Sequence, residues 1–249
     1  LAGGDDGILL VVTGSPAAEQ AAGHVMFKAE YKLPNSKRVV AVSPHAGAKL
    51  WEWSPGGGEI MPETLAAADG RAYVKVDETV RCLDLKTGRD LWSFGDSGKK
   101  QARKKIGYGT HVLVVADGVV LCKLGGELVA LSADKGAKLW ETKAGGGFHA
   151  PVDVFVIDGL VWMGDHPRDS VAPPPVTDFN EARDLRTGEV KRKNQIMVDL
   201  QTAGHHHRCY REKASDRYIM ASHRGIEFLD LEGTNHTRNN WIRGVCQYG

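Results

Sequence analysis

Residues 69–92 read DGRAYVKVDETVRCLDLKTGRDLW, and 48 residues further on, residues 117–140 read DGVVLCKLGGELVALSADKGAKLW. The two stretches align without a gap. Asp69, Gly70, Lys75, Leu83, Gly88, Leu91 and Trp92 each meet an identical residue. Each copy runs from an Asp-Gly turn through an apolar strand, a polar break and a second strand. It then passes a turn ending in Gly and closes on Leu-Trp. A repeat of roughly 40–50 residues made of several short strands is the signature of a β-propeller blade. The expected fold class is therefore all-β. The chain is read as a β-propeller of four-stranded antiparallel blades, about five of them, forming part of a larger ring. A closed ring of five blades is the alternative.

Working outward, the strand-entry signal recurs at Asp6-Gly7, Asp69-Gly70, Asp117-Gly118, Asp158-Gly159 and Asp216-Arg217, each before an apolar run. Asp-Gly between apolar runs is a hairpin cue, because Gly takes positive φ freely and Asp tolerates it. The fifth copy has Arg in place of Gly, so its turn must differ. The second half of the unit recurs at 39–53, 80–92, 128–140, 181–192 and 226–241. Its D-x-x-T-G form is a turn in which Asp accepts backbone N–H bonds. Trp51, Trp92, Trp140 and Trp241 follow it and are read as wedges between neighbouring blades, worth about 2–3 kcal/mol each. The fourth unit has Val190 instead, which makes it the loosest joint. Insertions at 13–37 and 164–180 interrupt the repeat, the second Pro-rich, polar and expected to project from the rim.

Bulk properties set the bounds. The 249 residues suit one all-β domain, and 1–249 is read as a single propeller domain or a propeller fragment. With 42% apolar and 25% charged residues the composition is that of an ordinary globular chain. The net charge of +1 leaves no footprint for nucleic acid or an anionic membrane, and no run approaches a membrane span. The first unit opens near the second strand of a blade and 245–248 reads as the beginning of a first strand. That places 245–248 where it would close the ring against 8–12.

The D-x-x-T-G-x-x-L-W unit resembles the pyrroloquinoline-quinone-type propeller repeat. That repeat is shared by quinoprotein alcohol dehydrogenases, by the outer-membrane assembly lipoprotein of the bacterial envelope and by uncharacterised bacterial proteins. The tail, from HHHRCYREK at 205–213 to NNWIRGVCQYG at 239–249, resembles large multi-domain bacterial propeller proteins. Those carry a methyltransferase-like region elsewhere in the chain. The resemblance implies a periplasmic or extracellular setting, with other domains of a longer chain or envelope proteins as partners. Dehydrogenases of this type carry an adjacent Cys-Cys pair over the quinone. No Cys-Cys occurs here, so no cofactor is expected and no catalytic residue is assigned.

The densest chemistry lies in Gly204, His205, His206, His207, Arg208, Cys209, Tyr210 and Arg211. Strand alternation would put His205, His207 and Cys209 on one face. Consecutive histidines fill a dry core poorly, because each buried ring nitrogen needs a partner. They suit a channel mouth. His205, His207, Arg208, His223 and His149 are therefore the candidate ligand-binding residues, and the arginines favour an anionic or carbohydrate ligand. His205, His207 and Cys209 are candidate metal ligands, ranked below ligand contact. Cys209 and Cys246, close to one blade apart, are either a disulfide or two packed thiols. Cys82 and Cys122 read as core residues. The charged loop at 164–169 and the basic run at 99–105 read as solvated. The leading function is a non-catalytic ligand- or protein-binding scaffold. The alternative is a carbohydrate-active or redox enzyme with a His-rich site at the channel.

Overall fold

The computed structural model describes residues 2–3, 7–14, 37–96, 111–144, 152–164, 179–193, 212–221 and 226–239. These form five four-stranded antiparallel sheets, the blades of a β-propeller, with no helix among the described residues. The first sheet joins β1 (Ala2–Gly3), β2 (Leu9–Thr13), β3 (Arg38–Ser43) and β4 (Ala48–Trp53) in that order. The second joins β5 (Ile60–Ala68), β6 (Arg71–Val76), β7 (Thr79–Asp84) and β8 (Asp90–Gly95). The third is β9 (Leu113–Ala116), β10 (Val119–Leu124), β11 (Glu127–Ser132) and β12 (Lys138–Lys143). The fourth is β13 (Asp153–Ile157), β14 (Leu160–Gly164), β15 (Glu181–Asp184) and β16 (Val190–Lys193). The fifth is β17 (Lys213–Ala214), β18 (Tyr218–Ala221), β19 (Ile226–Asp230) and β20 (Thr237–Asn239).

Residues 1–106, 113–125 and 131–138 make one compact unit, and residues 107–112, 126–130 and 139–249 make the other. The first unit has a core of Leu10, Val39, Ala41, Trp51, Ile60, Val74, Leu83 and their neighbours. In the second, Trp162, Phe179, Ala182, Ile219, Leu229 and Leu231 pack together.

The hairpins follow from their turn residues. Asp69, Asp117 and Asp158 take φ of 48°, 45° and 51°, and the following Gly70, Gly118 and Gly159 take 71°, 75° and 72°. Two left-handed residues in succession make the turn whose twist matches the flanking strands. The registers Ala68↔Arg71, Ala116↔Val119 and Ile157↔Leu160 confirm two-residue loops. At Asp216-Arg217 the turn differs, as expected. Ser215 Oγ accepts from the Arg217 and Tyr218 amides, and the Ser215 N–H donates to the Tyr218 carbonyl at 2.8 Å.

The short strand β1 pairs with β2 at Ala2↔Leu10 and Gly3↔Leu9, and β3 holds the other edge. The stretch 245–248, expected to close the ring against 8–12, lies outside the described residues. Two expectations need correction. The stretch 164–180 does not simply project. Residues 165–178 lie outside the described residues, but Phe179 is fully buried and its N–H donates to the Met163 carbonyl at 3.0 Å. Its ring lies 6.1 Å from that of Phe155, and Gly164 leaves it the space a Cβ would fill. This packing holds a bulky residue at φ 55°, a costly conformation. Finally, the fourth unit does not place Val190 at the Trp position. The pairs Ala41↔Trp51, Cys82↔Trp92 and Ala182↔Arg192 occupy one register, so the residue that replaces Trp is Arg192.

Candidate functional site

His205, His207, Arg208, Cys209, His223 and His149 lie outside the described residues, as do Cys246 and Trp241. Among the described residues, no three His, Cys, Asp or Glu side chains come together as a metal site. The structure does define what the His-rich stretch runs into. Glu212 follows it directly, heads β17 and is buried. Its N–H donates to Asp153 Oδ2 at 3.1 Å, and Asp153, the first residue of β13, is also buried. His111, ahead of β9, is buried in the same unit. Asp153 and Glu212 thus stand at the first strands of the fourth and fifth sheets, and His111 two residues ahead of the first strand of the third. Each of the three makes a polar interaction. A buried carboxylate is tolerated only with charge or hydrogen-bond compensation. The Asp153 carboxylate is compensated in part by the Glu212 backbone N–H.

Sequence reasoning missed Asp153, Glu212 and His111. Their signal was present: an acid interrupts the apolar run in PVDVFV, and Glu212 separates the basic His segment from its strand.

The first unit contains a second polar cluster. Lys75, only 2% exposed, sends its ammonium to the Lys123 carbonyl at 3.0 Å and to Glu78 Oε1 at 3.4 Å. Glu78 Oε2 accepts from the Gly125 N–H at 2.7 Å. Lys75 thus reaches the backbone of its own repeat counterpart, and the pair ties the second sheet to the third. Thr64 Oγ1 accepts from the Lys75 N–H and donates to the Met61 carbonyl. Burial pushes the neighbouring Cys122 thiol up to about 12, with Lys75 opposing the rise and Glu78 adding to it. The Cys82 thiol is also pushed up to about 12, chiefly by burial. At neutral pH both are inert thiols, as expected for core cysteines.

The tryptophans are blade locks. Trp51, Trp92 and Trp140 donate their indole N–H to the carbonyls of Leu85, Ala133 and Leu185 at 2.9, 3.0 and 2.9 Å. Each ring covers a glycine of the next blade's turn. A Cβ on Gly88, Gly136 or Gly188 would lie 2.6, 2.5 or 2.7 Å from the ring. The same turns are closed by their first residue. Asp84 Oδ1 accepts from the Lys86 and Thr87 amides at 3.1 and 2.8 Å, and Asp184 Oδ1 from Arg186 and Thr187 at 2.9 and 2.8 Å. In the third copy Ser132 takes this place and bonds Asp134.

The residue before each Trp points outward. Leu50, Leu91 and Leu139 are 47%, 40% and 42% exposed, the large apolar side chains most open to solvent among the described residues. They hold one repeat position on the outermost strands β4, β8 and β12. In the fourth sheet that position is Lys191.

A family model of the pyrroloquinoline-quinone repeat type, whose description reads outer membrane protein assembly factor BamB, matches residues 3–152. Among solved structures, the chain is similar to a europium-containing methanol dehydrogenase, with TM-score 0.54 and 13% identity over 78% of this chain and 46% of that one. It is similar to the quinohemoprotein alcohol dehydrogenase of Comamonas testosteroni, with TM-score 0.52 and 16% identity over 79% of this chain and 38% of that one. BamB from Moraxella catarrhalis aligns with TM-score 0.47 and 12% identity, over 96% of this chain and 76% of that one. The chain spans less than half the length of the two dehydrogenases, and at these identities they show the fold alone. No curated protein matches the sequence significantly.

Proposed function

The chain belongs to the propeller-repeat family described as outer membrane protein assembly factor BamB, and from that premise we propose that it is a non-catalytic binding scaffold of the bacterial envelope. Residues 1–249 act in this reading as one propeller domain or part of one. Its partners are envelope proteins or other domains of a longer chain. The observation that carries the reading is the outward leucine repeated at Leu50, Leu91 and Leu139. A large apolar side chain stands open to solvent at the same place on successive outer strands, where a partner would remove it from water. By contrast, the Trp51 and Trp92 indoles, Lys75 and Glu78 serve the unit's own joints. The test is chemical cross-linking in an envelope extract, comparing the unmodified chain with a Leu50→Glu/Leu91→Glu variant. The variant is expected to lose the cross-linked partner while keeping its thermal midpoint. Retention of every cross-link would reject the reading.

A ligand surface around His205, His207, Arg208, His223 and His149 is part of the proposal, with an anionic or carbohydrate ligand. Its support is the chemistry of the stretch itself: consecutive histidines fill a dry core poorly, and arginine pairs well with anionic groups. The same histidines carry a second reading, a redox or carbohydrate-active enzyme that uses them for acid–base work. Thermal-shift titration with glucuronate and with zinc separates the two ligand classes. A shift with zinc that a His205→Ala/His207→Ala variant abolishes would favour the metal candidates His205, His207 and Cys209.

A further inference from the structure

We propose that the outer edge of the joint between the fourth and fifth sheets is a local seam that opens while the rest of the second unit stays folded. The three regular joints share one lock: an indole bonded to a backbone carbonyl and seated over a turn glycine. The fourth keeps the bond and loses the seat. Arg192 stands at the Trp register, and its Nη1 donates to the Leu231 carbonyl at 3.2 Å. Leu231 is the counterpart of Leu85, Ala133 and Leu185, each one residue past the first residue of its turn. Arg192 is exposed, whereas Trp51 and Trp140 are buried.

The receiving turn has changed in step. At the position of Gly88, Gly136 and Gly188 stands Thr234. The turn's own glycine is Gly233, where a Cβ would meet only the Asp230 carboxylate, at 3.5 Å. The backbone closure is replaced as well. Asp84, Ser132 and Asp184 donate their N–H to the carbonyls of Arg89, Ala137 and Glu189, whereas Asp230 donates to the His236 ring Nδ1 at 2.9 Å. Among the described residues no ring seats on this turn as the others do, and the outer edge rests on polar contacts.

The inner part of the same joint is built differently. Trp162, Phe179 and Ala182 of the fourth sheet pack with Ile219, Ala221, Leu229 and Leu231 of the fifth. The Glu212 N–H to Asp153 bond adds a second tie at the inner strands. Opening is thus confined to β20 and the turn at 232–236, and it releases the Arg192 bond to the Leu231 carbonyl.

Amide hydrogen exchange on the unmodified chain reads this directly. Amides of 232–239 are expected to exchange at least about tenfold faster than their counterparts at 86–94, while β18 stays as protected as β6. Arg192→Ala is expected to speed exchange of 232–239 a further roughly fivefold, the effect of one lost hydrogen bond, and to leave 86–94 unchanged. Equal protection of the two turns would overturn the seam. Exchange of β18 at the rate of β20 would overturn it too, since the whole sheet would then open. No response to Arg192→Ala would show that Arg192 does not hold the edge.

Discussion

The joint between the second and third sheets and the joint between the fourth and fifth use the same carbonyl and different side chains. At the first, Trp92 donates to the Ala133 carbonyl at 3.0 Å and covers Gly136. At the other, Arg192 donates to the Leu231 carbonyl at 3.2 Å, and among the described residues it seats over no turn glycine. The hydrogen bond alone is worth about 1 kcal/mol net. The difference between the joints is therefore the apolar ring. A propeller can keep its backbone geometry from blade to blade while the strength of each joint is set by one residue and the glycine opposite it.

The largest effect that would sharpen this contrast is on the indole. Trp140→Ala is expected to cost about 3–5 kcal/mol in denaturant unfolding, as other large-to-small core changes do. Arg192→Ala at the equivalent register is expected to cost about 1 kcal/mol. Similar losses at the two positions would break the comparison.

The buried ion pair of the first unit comes next. Lys75→Ala leaves Glu78 without its ammonium partner and is expected to cost about 3 kcal/mol. Replacing both, as Lys75→Met/Glu78→Gln, is expected to recover much of that loss in the same unfolding measurement. A double variant as damaged as the single one would show that Lys75 acts through packing alone.

The seat itself can be filled. Gly136→Ala puts a Cβ 2.5 Å from the Trp92 ring at φ 67°, with an expected cost of about 2–3 kcal/mol. Gly233→Ala meets no ring and is expected to change stability by less than about 0.5 kcal/mol. The thermal midpoints of the two variants give the answer, and equal shifts would count against the seat.

The smallest effect is on acid sensitivity. Hydrogen bonds from Thr87 hold the Asp84 carboxyl below its ordinary value, and those from Thr187 and Arg186 do so for Asp184. Both pKa values are depressed on folding, so the stabilisation is complete above the unfolded carboxylate value of about 3.9. It is lost as pH falls through the lower, folded value. The thermal midpoint is expected to drop between about pH 4 and pH 2, and Asp84→Asn/Asp184→Asn to flatten that drop. An unchanged slope would show that these turns do not set the acid limit.

Much of the fold was legible because its signals are local. Asp-Gly pairs announced three hairpins, and D-x-x-T-G announced the turns at Asp84 and Asp184. The candidate site was legible only as composition. The histidines could be singled out as poor core residues, but Asp153 and Glu212 gave a weak signal, since one acid beside an apolar run usually faces solvent. Phe179 was hidden by the polar, Pro-rich stretch before it, whose composition says nothing of one aromatic returning to the core.

By itself the sequence determined the repeat, the blade type, the turn chemistry and the place of each Trp within its unit. Periodicity and glycine placement are properties of neighbouring residues, and neighbours are what a sequence records. Only the tertiary structure decided that the Trp51, Trp92 and Trp140 indoles meet a carbonyl and a glycine of the following blade, and that Lys75 meets the backbone of Lys123. It alone showed that Arg192 replaces the fourth Trp. Those contacts depend on how one sheet lies against the next, and stacking joins residues some 40 positions apart that share no local pattern.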